Sequence, residues 1–437
     1  MRFPRLKRLP ALLVLAGFSL CQAQTSTAPV LAEGTPAGLE QLFSELKLNN
    51  PQVNQVRQSY LAAKALVPQI AAPNNPQIGF AWSQTPANRP LALNQAQSMS
   101  FSVSQSIPFP GKKALAAEIA NDQAEAVDAQ RDALVLQLYG QLAASYYQAV
   151  TMQRQIAVQR EAVARLEQIK QITRIRYSNN AAAYVDYLNA QVAQSAAQND
   201  QFAMERQYEL AVQNINVLIG RDPSNPLALQ KTVPPAALPA ATLYELEQRS
   251  LASHPAIKAS RLQVEAAEKG VRLARKGYLP DFNVVFSSTS GDPNGNTGTH
   301  PFPFRSQAYG LENDLVIPLW FFTKEKYGVD QAVYTKLSAE AGDQSTRQQI
   351  LQGVDAAHSN LRVALQQLSF LKDRQLPEAR TAFRLALTNY STGQAAFNDL
   401  LTAQTSLRTA ELSVAQGEAA AVQAHAALLA AVGVESF

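Results

Sequence analysis

The side chains able to do covalent or redox chemistry are few and far apart. His254, His300, His358 and His425 are scattered along the chain, no two of them at the spacing that puts metal ligands on one helix turn. There is no glycine-rich phosphate loop and no strand-turn-helix nucleophile motif. Cys21 is the single cysteine, which excludes an intrachain disulfide and a cysteine-built metal site. No catalytic group, resident metal or cofactor is implied, and a non-enzymatic function is expected.

Tyrosines and carboxylates, by contrast, recur in a pattern. Tyr177-Ser178, Ala182, Asp186, Leu188, Ala190 and Gln191 reappear as Tyr390-Ser391, Ala395, Asp399, Leu401, Ala403 and Gln404, each pair 213 residues apart. Ile107-Pro108-Phe109 matches Ile317-Pro318-Leu319 at 210, Asn50-Pro51 matches His254-Pro255 at 204, and Ile219-Gly220 matches Val432-Gly433 at 213. Landmarks in one order, with separations that grow by small insertions, make the chain two copies of one unit. An aspartate in the first turns of a helix also serves simply as a partner for the helix dipole, and a tyrosine at a turn as packing.

The elements that hold these residues follow from composition and period. Between Pro110 and Pro223 there is no proline, and Ala, Gln, Leu, Glu and Arg dominate, so a helix from Lys112 to about Tyr177 would be ~100 Å long. The second unit repeats this from about Lys324 to Tyr390, with Pro377 as a kink or short break where the first unit has Ala164. Ile156, Val163, Leu166, Ile169, Ile172 and Ile175 supply a coiled-coil packing stripe among alanines.

Ahead of each long helix lie two stretches of period two. Ile78, Phe80 and Trp82, then Met99, Phe101 and Val103, alternate with small or polar residues. So do Phe282, Val284 and Phe286, then Tyr309, Leu311 and Leu315, the last set against Gly310, Glu312 and Asp314. Such strands suit a membrane barrel or a half-buried sheet equally well. Four strands close neither alone, so copies of the chain must supply the rest. Segments 85–97 and 289–307, rich in Pro, Asn, Gly and Thr, read as loops, and Trp320, Phe321 and Phe322 stand where an interfacial aromatic belt or a core cluster would be.

Residues 1–23 read as a secretory leader, with Arg2, Arg5, Lys7 and Arg8 ahead of the apolar run Ala11–Leu20. That run is too short to span a bilayer. Its removal cancels the formal charge of +4, so the basic balance does not point to nucleic acid. Cleavage just before Cys21, with lipidation there, is the alternative processing. The organisation is then a first repeat over 24–225 (strands about 77–84 and 98–107, helical hairpin 112–219), a linker over 226–240, and a second repeat over 241–437 (strands about 281–288 and 308–317, helical hairpin 324–432).

On the duplicated Tyr390-Ser391-Thr392-Gly393 with Asp399, its sister Tyr177 with Asp186, and the strand-ending Ile-Pro-Phe-Pro-Gly-Lys at 107–112, the chain resembles the TolC family of outer-membrane efflux proteins, nearest the heavy-metal branch typified by CzcC and CusC. The resemblance implies a mainly helical fold with a transmembrane β part: a homotrimer whose twelve-stranded barrel continues as a helical tunnel into the periplasm. It implies an outer-membrane channel whose partners are a periplasmic adaptor, an inner-membrane RND pump and outer-membrane lipid. It assigns the constriction to Asp399 and Asp186, tyrosine-to-carboxylate links to Tyr390 and Tyr177, and adaptor contact to Ser178, Asn179, Ser391, Thr392 and Gly393. Glu312 and Asp314 fall in the barrel lumen. Some relatives carry a second aspartate one turn on, where this chain has Thr402. Heavy-metal cations are the expected cargo, with drugs, other organic compounds or type I secretion substrates as alternatives. A periplasmic adaptor or coiled-coil scaffold is the rival of another class. The two similar halves favour the channel.

Overall fold

The computed structural model describes residues 36–83, 98–230, 234–291 and 306–434. The leader with Cys21, most of both strand-connecting segments and His300 lie outside them. Each repeat begins with a helix broken in two, α1 (Leu39–Asn49) and α2 (Pro51–Ala71) in the first, α5 (Leu243–Ser253) and α6 (Pro255–Lys276) in the second. The breaks fall at Asn50-Pro51 and His254-Pro255 because the residue before a proline is driven to extended backbone; both sit near φ −65° and ψ 125°. Each then caps the next helix: Asn50 Oδ1 accepts from the N–H groups of Gln52 and Val53, and His254 Nδ1 from that of Ala256.

The strands β1 (Gln77–Ser83), β2 (Ser98–Ile107), β3 (Asp281–Gly291) and β4 (Ser306–Val316) form one antiparallel sheet in the order of the chain. Pairing reaches Gly291 and Ser306, so residues 289–291 and 306–307 belong to strands although their composition suggests a loop. The long hairpin of the first repeat is α3 (Lys112–Ser178) and α4 (Tyr184–Leu218). That of the second is α7 (Lys326–Phe370), α8 (Leu376–Thr392) and α9 (Phe397–Val432). A π-turn at Phe321–Glu325 opens α7, and another at Leu371–Gln375 joins it to α8 just ahead of Pro377, the wider turn interrupting the regular hydrogen-bond ladder where the proline ring and missing N–H would disturb it. The break anticipated at Pro377 therefore takes the form of a π-turn just ahead of it, and α3 runs unbroken.

Three apolar clusters hold this together. One joins α1, α3, α4 and α9 through Leu42, Leu46, Leu142, Ile215, Ile219 and Val422. A second joins α5, α7 and α9 through Leu246, Val354, Leu361 and Leu428. The third lies at the far end of the hairpins, where Leu166 and Ile169 of α3 meet Ala190, Ala197, Tyr390, Phe397 and Leu400. Ile175, last of the apolar stripe on α3, is exposed rather than packed.

Candidate channel wall and helical tip

Strand register sorts the sheet into two faces, because directly opposed residues share a side. One face carries Ile78, Phe80, Trp82, Met99, Phe101, Val103, Ile107, Phe282, Val284, Phe286, Tyr309, Leu311 and Leu315, interrupted by such polar residues as Gln105 and Asn313. The other carries small residues in rows that cross all four strands, such as Gly79, Ser102, Ser287 and Gly310. Larger side chains on this second face cluster toward the helices: Gln77 and Glu312 in one row, Asn283 and Asp314 in the next, with the Asn283 amide donating to Asp314 at 3.2 Å. The apolar face is bare, with Ile78 64% and Leu311 70% exposed. β1 and β4 each have one edge without a partner among the described residues of the protomer.

At the opposite end the duplication is repeated in backbone geometry. Asn180 and Gly393, 213 residues apart, both adopt positive φ, at 57° and 82°. In each turn the following N–H closes the helix by reaching back five residues, Ala181 to the Arg176 carbonyl and Gln394 to that of Asn389, both at 2.8 Å. Ser178, Asn179, Ser391, Thr392 and Gly393 are all exposed on these turns. The hydroxyls of Ser178, Ser391 and Thr392 donate to carbonyls of their own helix.

The two tyrosines of the repeat take different roles. Tyr177 is half exposed and leans on Tyr184, which stacks on Tyr187. Tyr390 is buried, its ring against Phe397 and beneath the Arg176 guanidinium at 4.5 Å, and its hydroxyl lies 3.3 Å from the Thr173 hydroxyl. Among the described residues of the protomer, Tyr390 thus meets a threonine and an arginine. Asp186 occupies the first turn of α4, partly exposed. Asp399 is exposed, and its carboxylate accepts from the Ala396 N–H at 3.3 Å, bridging the start of α9.

Between the tip and the first cluster the hairpins are joined by polar groups. Arg165 donates to Glu411 at 2.6 Å and to Gln404 at 3.3 Å. Arg408 reaches Asp200 and the fully buried Gln159, which itself donates to the Ala197 carbonyl. Glu418 of α9 pairs with Arg154 of α3 and with Lys372 in the second π-turn. Nearer the tip, the Lys170 ammonium, with Gln171 and Gln194, holds the Glu167 carboxyl below its usual range. The repeat concealed these groups, since most have no like residue at the sister position; Arg176 corresponds to Asn389.

A sheet with one apolar and one small polar face, open at both edges and continued by paired helical hairpins, has counterparts among known proteins. The chain matches the Outer membrane efflux protein family over residues 42–221 and 246–434, one block in each repeat. It belongs to that family. It is a channel protein of the outer membrane, not an enzyme. Among relatives, it is 24% identical to outer membrane protein TolC of Escherichia coli K12 over 423 residues, covering 92% of this chain and 81% of TolC. It is 22% identical to the pyoverdine export outer membrane protein OpmQ of Pseudomonas putida, over 70% of this chain and 64% of OpmQ. Among solved structures, CusC superposes with a TM-score of 0.77 at 17% identity, over 91% of this chain and 92% of CusC. The outer-membrane channel OprN gives 0.74 at 20%, over 90% and 89%.

Proposed function

We propose that three copies of the chain pair β4 of one with β1 of the next, closing a twelve-stranded barrel continued by a helical tunnel, and that the assembly is the outer-membrane duct of a tripartite RND-type efflux system. The observation that carries this is the four-stranded sheet with two unpaired edges and an exposed apolar face, which no single copy can cover or close. The tips bearing Ser178, Asn179, Ser391, Thr392 and Gly393 meet the periplasmic adaptor in this reading. Asp186 and Asp399, with Tyr177 and Tyr390 at the adjoining turns, form the constriction.

Heavy-metal cations are the cargo this reading favours over organic compounds. Support comes from Glu312 and Asp314, repeated three times on the small-residue face, where like charges in a narrow opening focus the field and concentrate cations. Light scattering of the purified protein in mild detergent should give a trimer, and a stable monomer would refute the assembly. In planar bilayers the channel should prefer cations, and Glu312→Gln with Asp314→Asn should reduce that preference. Unchanged selectivity in this variant would leave the tip carboxylates Asp186 and Asp399 as the source of the cation preference or favour organic cargo.

A further inference from the structure

The two junctions between sheet and long helix differ in how they use their lysines. At the first, Lys112 is bound to Asp281 at 2.7 Å and to the Leu279 carbonyl at 2.9 Å, Lys113 to the Ala72 carbonyl at 2.7 Å, and Lys276 to the Pro110 carbonyl at 3.2 Å. At the second, Lys324 and Lys326 are exposed and make no ion pair among the described residues. The Lys326 ammonium lies 5.7 Å from the centre of the Tyr327 ring. Glu325 between them makes no ion pair with either among the described residues: its Cγ lies beside Gly277 and one carboxylate oxygen is buried without a hydrogen-bond partner. Directly before them Trp320 and Phe321 each meet Phe322 edge to face, at 6.1 and 5.6 Å, and all three rings are more than half exposed. The patch continues the apolar face of β4 through Leu315 and Ile317.

We propose that this junction is a binding site for anionic glycerophospholipid on the helical side of the membrane, with the headgroup phosphodiester against Lys324 and Lys326 and the acyl-glycerol region against the Trp320-Phe321-Phe322 cluster. The proposal rests on the reading of the sheet as a membrane wall. Aromatic side chains settle where hydrocarbon meets headgroup. Each lysine beside that plane favours an anionic surface over a neutral one by roughly fivefold. At the first junction Lys112, Lys113 and Lys276 are already engaged within the protein, and Arg275 stands exposed without a comparable aromatic cluster beside it. Charge complementarity and continuity with the apolar face thus select lipid as the occupant rather than a second copy of the chain.

The test uses the full trimer in nanodiscs of phosphatidylethanolamine with and without phosphatidylglycerol. Native mass spectrometry should show phosphatidylglycerol retained in preference to phosphatidylethanolamine, weakening as salt is raised, and Lys324→Gln with Lys326→Gln should lose most of that preference. In a Trp82→Phe background Trp320 is the only tryptophan, and brominated lipid should quench it. Quenching without any lipid preference would overturn the headgroup site while leaving the membrane wall intact. An unquenched Trp320 would remove this end of the sheet from the membrane, and the wall reading with it. Dissociation of the double variant into monomers would make a neighbouring protomer the occupant and overturn the proposal.

Discussion

The first and second repeats agree at their ends and differ along their length. Helix breaks at Asn50 and His254, closing turns at Gly220 and Gly433, and tip turns at Asn180 and Gly393 coincide after duplication, the first pair because a proline follows each, the others because left-handed backbone is supplied by few residues. Between them α3 is continuous, whereas its counterpart carries two π-turns. The separation of sister residues rises from 210 at Ile107 and Ile317 to 213 at Tyr177 and Tyr390, and a π-turn is how a helix absorbs an extra residue without unwinding. Turn geometry is thus held more tightly than wall geometry, and sister side chains need not share a task.

The sister tyrosines offer the largest expected contrast. Tyr390→Ala removes a buried ring and should cost about 3–5 kcal/mol, whereas Tyr177→Ala, at a half-exposed ring, should cost under about 1 kcal/mol; thermal melting of the two variants in detergent checks this. Equal losses would mean that the duplicated tips share a packing role after all. Tyr390→Phe, which keeps the ring, should stay within about 1 kcal/mol of the wild type.

The closing glycines come next. A Cβ on Gly220 would lie 2.5 Å from the Asn49 carbonyl oxygen, but one on Gly433 would lie 3.1 Å from the His254 ring edge and 3.3 Å from its Cα. Left-handed backbone costs either alanine about 1–2 kcal/mol, and the backbone collision should add roughly 1–3 kcal/mol for Gly220→Ala. Denaturant midpoints that coincide for the two variants would show that the α1–α2 corner yields freely.

The smallest effect concerns the paired caps. Burial pushes the His254 imidazole down from its ordinary value, so the folded state favours the neutral ring that accepts from Ala256. Its contribution is full above the unfolded value of about 6.5 and is lost as pH falls through the lower folded value. His254→Asn, copying its sister Asn50, should flatten the decline in stability below about pH 6.5, leaving the share due to His425, also lowered by burial. A melting-temperature profile against pH that keeps its full slope in this variant would assign the acid sensitivity to His425 or the carboxylates.

What could be read from the sequence was punctuation and period. Pro377, the repeated turn residues and strict alternation pointed to one helix break, the tips and the strands, and alternation put Ile78, Phe101 and Phe286 on one face, whereas the breaks at Asn50 and His254 were visible only as matched landmarks. The break beside Pro377 was legible; its form was not, since a π-turn leaves no composition of its own. Nor could repetition tell that Tyr390 is buried and Tyr177 half exposed, because burial depends on what crosses from the other hairpin, here Arg176 and Thr173. The polar contacts along the wall, such as Gln159 with Arg408, join residues roughly 250 positions apart, and no local pattern announces such pairs.

The pairing of β2 with β3 imposes an order on synthesis. Ile107 meets Phe282 and Ser98 meets Gly291, so the central seam of the sheet cannot form until most of the chain has emerged. The first helical hairpin is synthesised before β3 and its two helices can pair earlier, although Val422, Tyr390 and Leu400 complete its apolar clusters only when the second repeat follows. Until the second repeat arrives, the sheet is a lone two-stranded ribbon, too small to hold its shape in water or close in lipid. For the proposed barrel, joining the halves through their strands therefore delays insertion until both repeats have contributed their strands, and a chain interrupted before β3 is left unable to perforate a membrane.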